Sequence, residues 1–445
     1  MKKSIYLSVF AALALTACDS DGDRVFDQSA ADRLEQYKKD YAEVLTADGG
    51  LWSMEYFSNP DEPGYVFVVK FDKNGSVDIA ANHVWIGGEF KQETSLWKMI
   101  ADNGPVLSFN SYNTLFHIFS DPANIDDNNP NAPMGEQGPI DETGFGHEGD
   151  YEFQVMEVLD DGQTMRLLGK KRMYEIFLHR LDPSTDVKDF LEASKKASDF
   201  LSPFFSYVNL INEDGEEFVM TELGSAKPSV YPKLGDEVTQ TRSGNGIFTI
   251  TGFRFMRPLE VPRADGSEEV VLDSFKFQDD GSLLSADGKK IVGPYAFDVF
   301  TNRTLSYTWN FDLDNCTGSI KSGLQTLEDG IKAAYPTRSL ESVYFGHEVL
   351  NGQVTPCLNI KLSGAKAAVF YLSYLQESKD GISFEISECN SQATTFEKKT
   401  KALVDFANSL SGQVYDVVSV DIMKPEVLEI SDKQNASNKM VVKVN

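Results

Sequence analysis

The chain has 445 residues, a formal net charge of −27 and 41% apolar residues, enough for two or three domains of roughly 100–200 residues with their own cores. That acidity repels polyphosphates, so nucleic acid is excluded as a partner, and solubility outside the cytoplasm is the ordinary use of such charge. Beyond the N-terminus no apolar stretch approaches the ~20 residues of a spanning helix.

Lys2 and Lys3 precede an apolar run that ends in Leu15-Thr16-Ala17-Cys18. The run is too short to span a bilayer, and its cleavage point is a cysteine instead of a small-residue site. These features make a bacterial lipobox. Residues 1–17 are predicted to leave as a signal peptide and Cys18 to carry the lipid that holds the protein to a membrane. Losing Lys2 and Lys3 takes the charge from −27 to −29. Residues 18–26 form an acidic tether, Asp19-Ser20-Asp21-Gly22-Asp23. An EF-hand loop starting at Asp19 would need glutamate at its twelfth position, where Ala30 stands. Acidic residues directly after the lipidated cysteine resemble the surface-export signal of Bacteroidota lipoproteins. This implies an outer-membrane anchor facing the cell exterior, the periplasmic face being the alternative.

A helix is predicted over 27–47 from Leu34, Tyr37, Tyr41 and Val44, with Asp27 or Ser29 as cap and Gly49-Gly50 as stop. The period then becomes two. Strands are predicted over 51–57, 65–71, 76–81, 95–100, 106–109, 114–119, 151–158, 164–169 and 172–181. Such a meander points to a closed antiparallel barrel over 27–183, because closure removes exposed edges. A helix running into Gly50-Leu51-Trp52 and then a barrel of this length resembles the calycin (lipocalin-like) pattern, which implies that Trp52 closes the barrel floor.

The loop 120–149 interrupts the barrel. Asp121, Asp126, Asp127, Asn128 and Asn129 offer oxygen ligands to calcium, against the reading of a solvated insertion whose Asx residues make turns. No other cofactor is expected.

A helix over 185–201 is predicted to separate the barrel from a β-rich α+β region over 184–445, divisible near 315, so that the whole chain is mostly β. Strands are expected over 218–221, 247–256, 270–277, 295–300, 304–311, 339–345, 358–362, 367–375 and 382–388, with helices around Leu327 and Phe406 and three closing strands. Gly412-Gln413-Val414-Tyr415 echoes Gly50-Leu51-Trp52, and Phe345-Gly346-His347-Glu348 echoes Phe145-Gly146-His147-Glu148, as a distant duplication would. Cys316, Cys357 and Cys389 allow one internal disulfide at most. Cys316 and Cys389 read as loop residues and Cys357 as a buried one.

Chemistry-bearing motifs are few. The five histidines, His83, His117, His147, His179 and His347, include no His-x-x-x-His pair, and no nucleophile elbow, Walker loop or dinucleotide fingerprint is present. A metal set of Asp126, Asp127, His147, Glu148 and Asp150 is the candidate site, against a histidine held structurally at a loop end. Trp85, Trp97, Tyr112, His117, Phe145 and His147 are the candidate ligand-binding residues, on the expectation that a barrel of this size encloses an apolar cavity; core packing is the alternative.

The Tyr-x-Phe-x-x-x-Phe run from Tyr65 to Phe71, Leu107-Ser108-Phe109-Asn110-Ser111-Tyr112-Asn113, Ser120-Asp121-Pro122, Glu148-Gly149-Asp150-Tyr151-Glu152-Phe153 and Leu168-Gly169-Lys170-Lys171 together resemble the Bacteroidota lipoprotein family catalogued as domain of unknown function 4302. The resemblance is read over the whole mature chain. It implies a surface lipoprotein that binds for, or assists, a TonB-dependent nutrient-import system, with an outer-membrane receptor and its surface lipoproteins as partners. It implies no catalytic residues, and an enzyme is not expected. A hydrolase acting on the imported nutrient and a structural or adhesive envelope protein are the alternatives.

Overall fold

The computed structural model describes residues 28–121, 147–302, 307–378 and 380–445; the lipobox and the tether lie outside the described residues. Helix α1 (Ala30–Thr46) begins where Ser29 Oγ accepts the Asp32 N–H at 3.1 Å, satisfying a free donor of the first turn. Tyr41, Ala42, Val44 and Leu45 pack on the first β body, whereas Tyr37, read as part of the same face, is 48% exposed. The chain leaves the helix through Gly50, φ 65°, where a Cβ would lie 2.2 Å from the Phe71 carbonyl oxygen, so only glycine fits.

Eight strands follow: β1 (Leu51–Tyr56), β2 (Tyr65–Phe71), β3 (Ser76–Ala81), β4 (Lys91–Ala101), β5 (Pro105–Phe109), β6 (Glu152–Leu159), β7 (Thr164–Gly169) and β8 (Glu175–Arg180). They form a closed up-and-down antiparallel barrel, β8 returning to β1 with Trp52 opposite Arg180. Met54, Tyr56, Phe67, Val69, Phe109 and Phe153 fill the interior. At the floor Trp52 Nε1–H donates to Leu45 O at 2.8 Å. The Arg180 guanidinium lies 4.1 Å from the Trp52 ring and donates to Ala47 O (2.7 Å), Val44 O (2.8 Å) and Gly162 O (3.0 Å). One arginine thereby joins the end of α1, the last strand and the β6–β7 turn.

The segment 114–119, read as a strand, is instead a plug ending in a single 3₁₀ turn. Its nearly continuous apolarity carries no period that separates a strand from a turn, and the barrel mouth supplies the apolar surface that decides. Helix α2 (Val187–Lys195) is capped by Asp186 and packs on the barrel. Its Leu191 is fully buried against Leu51, Val68 and Ala80 on the outer barrel surface, and Asn82 Nδ2 donates to Leu191 O at 2.9 Å.

The second body contains β9 (Tyr207–Ile211), β10 (Glu217–Thr221), β11 (Ser229–Pro232), α3 (Glu237–Gln240), β12 (Arg242–Ser243), β13 (Gly246–Thr249), β14 (Gly252–Pro262), β15 (Glu269–Phe277), β16 (Leu283–Leu284) and β17 (Lys290–Val292). Its nine strands form an antiparallel sheet in the order β12-β11-β10-β9-β17-β16-β15-β14-β13. The two edge strands are neighbours in sequence through Gly244-Asn245, so the sheet curls around Phe218, Phe253, Phe255, Leu272 and Ile291. It docks on the first barrel through a buried ion pair: Glu55 accepts from Arg254 Nε at 2.7 Å and from His179 Nε2 at 3.2 Å. Phe57, Ile247 and Met256 pack beside it.

The third body is a second closed eight-stranded barrel. It comprises α4 (Ala296–Thr301), β18 (Trp309–Phe311), α5 (Gly318–Ala334), β19 (Leu340–Leu350), β20 (Gln353–Leu362), β21 (Ala368–Gln376), β22 (Gly381–Cys389), α6 (Ser391–Glu397), α7 (Ala402–Ser409), β23 (Val414–Ser419), β24 (Val427–Asp432) and β25 (Lys439–Val444). Helix α4 stands where the alternation of Phe297 and Val299 predicts a strand. The helix buries Phe297, Val299 and Phe300 together, and Phe300 packs on Phe345 at 5.3 Å. Cys316, Cys357 and Cys389 are free thiols; Cys316 lies in a loop as read but is fully buried in the barrel core, whereas Cys389, also read as a loop residue, ends β22 opposite Phe370.

The echoed tetrapeptides are not equivalent. His147 precedes the sixth strand of its barrel, whereas Phe345-Gly346-His347-Glu348 lies within the second strand of the other. The helix-to-strand echo is better founded: Gly412 has φ 77° and the buried Tyr415 hydroxyl donates to Leu410 O at 3.3 Å, as Trp52 does to Leu45. Tyr415 stands in the sixth strand of its barrel, so the device recurs at a different place.

Candidate functional site

His117, His147, Trp85, Glu148 and Asp150 gather at the mouth of the first barrel, opposite the Trp52 floor. His117 shapes the plug. Its Nε2–H donates to Phe109 O at 3.1 Å and its Nδ1 accepts the Asn113 N–H at 3.1 Å, an arrangement that requires a neutral ring, and burial pushes its pKa down. Asn113 Oδ1 accepts from Leu115 N, and its amide donates to Ser95 Oγ. These bonds send Phe116 and Phe119 inward. Phe116 meets Tyr56 (5.1 Å), Phe67 (5.4 Å) and Phe109 (4.8 Å), and Phe119 meets Tyr65 at 4.7 Å. The cavity expected inside the barrel is therefore occupied by the chain's own rings, offset and tilted as aromatic packing favours.

His147 closes the mouth. Its Nδ1–H donates to Glu62 Oε1 at 2.6 Å; the other Glu62 oxygen accepts from the Tyr65 hydroxyl at 2.6 Å, which in turn accepts Trp85 Nε1–H at 2.7 Å. Asn59 Nδ2 donates to the same Glu62 carboxylate and to His147 O. Burial alone would push the Glu62 carboxyl up. The hydrogen bond and charge of His147, with the bonds from Tyr65 and Asn59, outweigh burial and hold it below the usual carboxylate range. The Trp85 ring lies 4.2 Å from His147. His147 Nε2 is buried without a hydrogen-bond partner among the described residues, and so is Nδ1 of neighbouring His83. His83 donates Nε2–H to Leu115 O at 2.9 Å. Burial, only partly offset by that bond, pushes its pKa down to about 4.

Glu148, Gly149 and Asp150 clamp the loop end. Glu148 Oε1 pairs with Arg172 Nη2 at 2.5 Å. The Asp150 carboxylate accepts the N–H groups of Lys171 (3.0 Å) and Arg172 (2.8 Å); burial nevertheless pushes its pKa up. Tyr56 Oη donates to Asp150 O at 3.1 Å. A Cβ on Gly149 would lie 2.0 Å from that hydroxyl oxygen and 2.8 Å from Phe119 Cβ, which accounts for the glycine sterically. Among the described residues no group of three histidine, cysteine or carboxylate side chains is placed to hold a metal. Asp126, Asp127 and Phe145 lie outside the described residues.

The remaining candidates scatter. Trp97 belongs to the core, its ring 5.0 Å from Phe71 and its Nε1–H on Asp72 O at 3.1 Å. Tyr112 is 58% exposed on the outer side of the plug, stacked on His117 at 5.5 Å.

The profile of the family described as Domain of unknown function (DUF4302) matches residues 22–272. The chain belongs to this family. The DUF4302 match spans the first barrel, α2 and the curled sheet as far as the first strand-half of β15, a shorter reach than the whole mature chain. No curated protein matches the chain. Within the DUF4302 region, Glu62, His83, Arg172 and Arg180 hold the mouth and floor together, and the sequence reading singles out none of them for that work. Glu62 stands in the connection between the predicted strands 51–57 and 65–71, and Arg180 closes a strand far from its partners in sequence.

Proposed function

We propose that this protein is an outer-membrane lipoprotein anchored through Cys18, facing the cell exterior, and a binding or accessory component of a TonB-dependent nutrient-import system. The carrying observation is Leu15-Thr16-Ala17-Cys18 with the acidic tether behind it, the features by which Bacteroidota lipoproteins are addressed to the surface. Its partners are then the membrane, through the lipid, and an outer-membrane receptor with that receptor's surface lipoproteins. The bonds at the barrel mouth support this reading over the hydrolase alternative: His117, His147, Glu148 and Asp150 hold loops in place, each engaged by neighbours of the same chain. The first barrel is calycin-like in this account. The support is a helix entering Gly50-Leu51-Trp52, with the Trp52 ring covered by Arg180, which ties the helix end to the last strand.

Protease added to intact cells tests the location. Cleavage of the protein without lysis is the expected result; complete resistance, with cleavage only after lysis, would favour the periplasmic face.

A further inference from the structure

We propose that the cleft between the first barrel, the end of α2 and the curled sheet binds one uncharged polyhydroxylated ring, the size of a single sugar unit. Three separate parts of the chain meet there around a cavity of about 240 Å³, below the ~300–1,000 Å³ of pockets for drug-sized ligands. The barrel contributes Tyr65 and His83, the end of α2 Lys195 and Ser198, and the sheet Ser225 and Phe248.

The wall selects the ligand. Ser225 Oγ donates to Glu222 O at 2.8 Å, and Ser194 Oγ, on the same wall, donates to Phe190 O at 2.9 Å. Both oxygens remain acceptors. Lys195 is held by Gly88 O at 2.7 Å and keeps further N–H donors. Mixed acceptors and donors suit hydroxyl groups, which do both. The ammonium of Lys195 disfavours a cationic ligand, and a chain of net charge −27 disfavours an anionic one. Phe248 adds an apolar face.

The backbone supplies an independent observation. Glu222 and Ala226, both at φ 57°, bracket the turn 223–225. Non-glycine residues persist in this conformation only where their surroundings over-determine it, a pattern that concentrates at ligand clamps and functional sites. That turn carries Gly224 and Ser225, which also line a neighbouring cavity of about 300 Å³ beside Leu201, Met220 and Leu223. The strained turn is thus the shared wall of two cavities.

The inference deepens the binding reading and rests on it. Calorimetry on purified protein reads the cleft and protease treatment of cells reads the location, so either can fail alone. Titrating the purified mature chain with the methyl glycosides of glucose, galactose, mannose and xylose should give saturable binding for at least one. Ser198→Phe and Ser225→Phe, which fill the cleft from the end of α2 and from the sheet, should each weaken it about tenfold or more with the melting temperature unchanged. Glucuronate and glucosamine should bind more weakly than the neutral sugar. No saturable binding by any glycoside, or wild-type affinity in either folded variant, would overturn the cleft assignment. Tighter binding of either charged sugar would overturn the uncharged class.

Discussion

His83 shows how one buried ring couples the barrel mouth to pH. It is 7% exposed, bonded through Nε2 to Leu115 O, and its pKa falls from 6.5 to about 4. Because the folded value is depressed, the unfolded chain takes up the proton first. The stability that neutral His83 contributes is complete above about pH 6.5 and is lost as pH falls towards 4, a loss of order 3 kcal/mol. Glu62 is also depressed, and the stability it contributes is lost only lower, as pH falls through its folded pKa. His83→Gln, which keeps a donor for Leu115 O, should therefore flatten the fall in chemical-denaturation stability between pH 6.5 and 4. Parallel pH profiles for the variant and the wild type would contradict this account of the site. At this scale the sequence is legible where a local pattern carries the role. Gly50-Leu51-Trp52 announces a tryptophan at a helix-to-strand turn, and Trp52 does bond the helix end. Arg180 and Glu62 are illegible, because their roles depend on partners that only barrel closure brings near.

The meander of the first barrel is nearly complete in the sequence: the predicted strands at 51–57, 65–71 and 76–81 match β1, β2 and β3 to within a residue. Alternation is strong there because one face of each strand meets the core. The plug and α4 are misread for a common reason. Both are short, largely apolar segments, Leu115 to Phe119 and Phe297 to Phe300, too short for a local pattern to separate a strand from a helical turn. Tertiary packing chooses instead, the plug against barrel rings and α4 against Phe345 and Phe384. Helix α2 carries the element-scale prediction. Since Leu191 is fully buried on the barrel's outer surface, Leu191→Ala should cost about 2–5 kcal/mol. For the same reason a fragment ending at 198 should unfold at higher denaturant than one ending at 183. Equal midpoints for the two fragments in urea, with equal slopes, would show that α2 adds nothing to the barrel.

Across the whole molecule, three β bodies are joined by specific contacts, the first two by the Glu55–Arg254 pair flanked by Phe57, Phe177 and Ile247. A mostly β chain is legible from the even spacing of its strands. The curled nine-stranded sheet is not, because its curl depends on the chain stepping from one edge strand, β12, to the other, β13, across Gly244-Asn245. The candidate mouth site is legible only in part: His117, His147 and Trp85 do gather at the mouth, while the purpose expected of them, a ligand cavity inside the barrel, gives way to a plug of the chain's own rings. What ties the molecule to its proposed role is the anchor. Metabolic labelling with radioactive palmitate tests it most directly: the account predicts label on the wild-type protein and none on Cys18→Ser, and equal labelling of the two would contradict it.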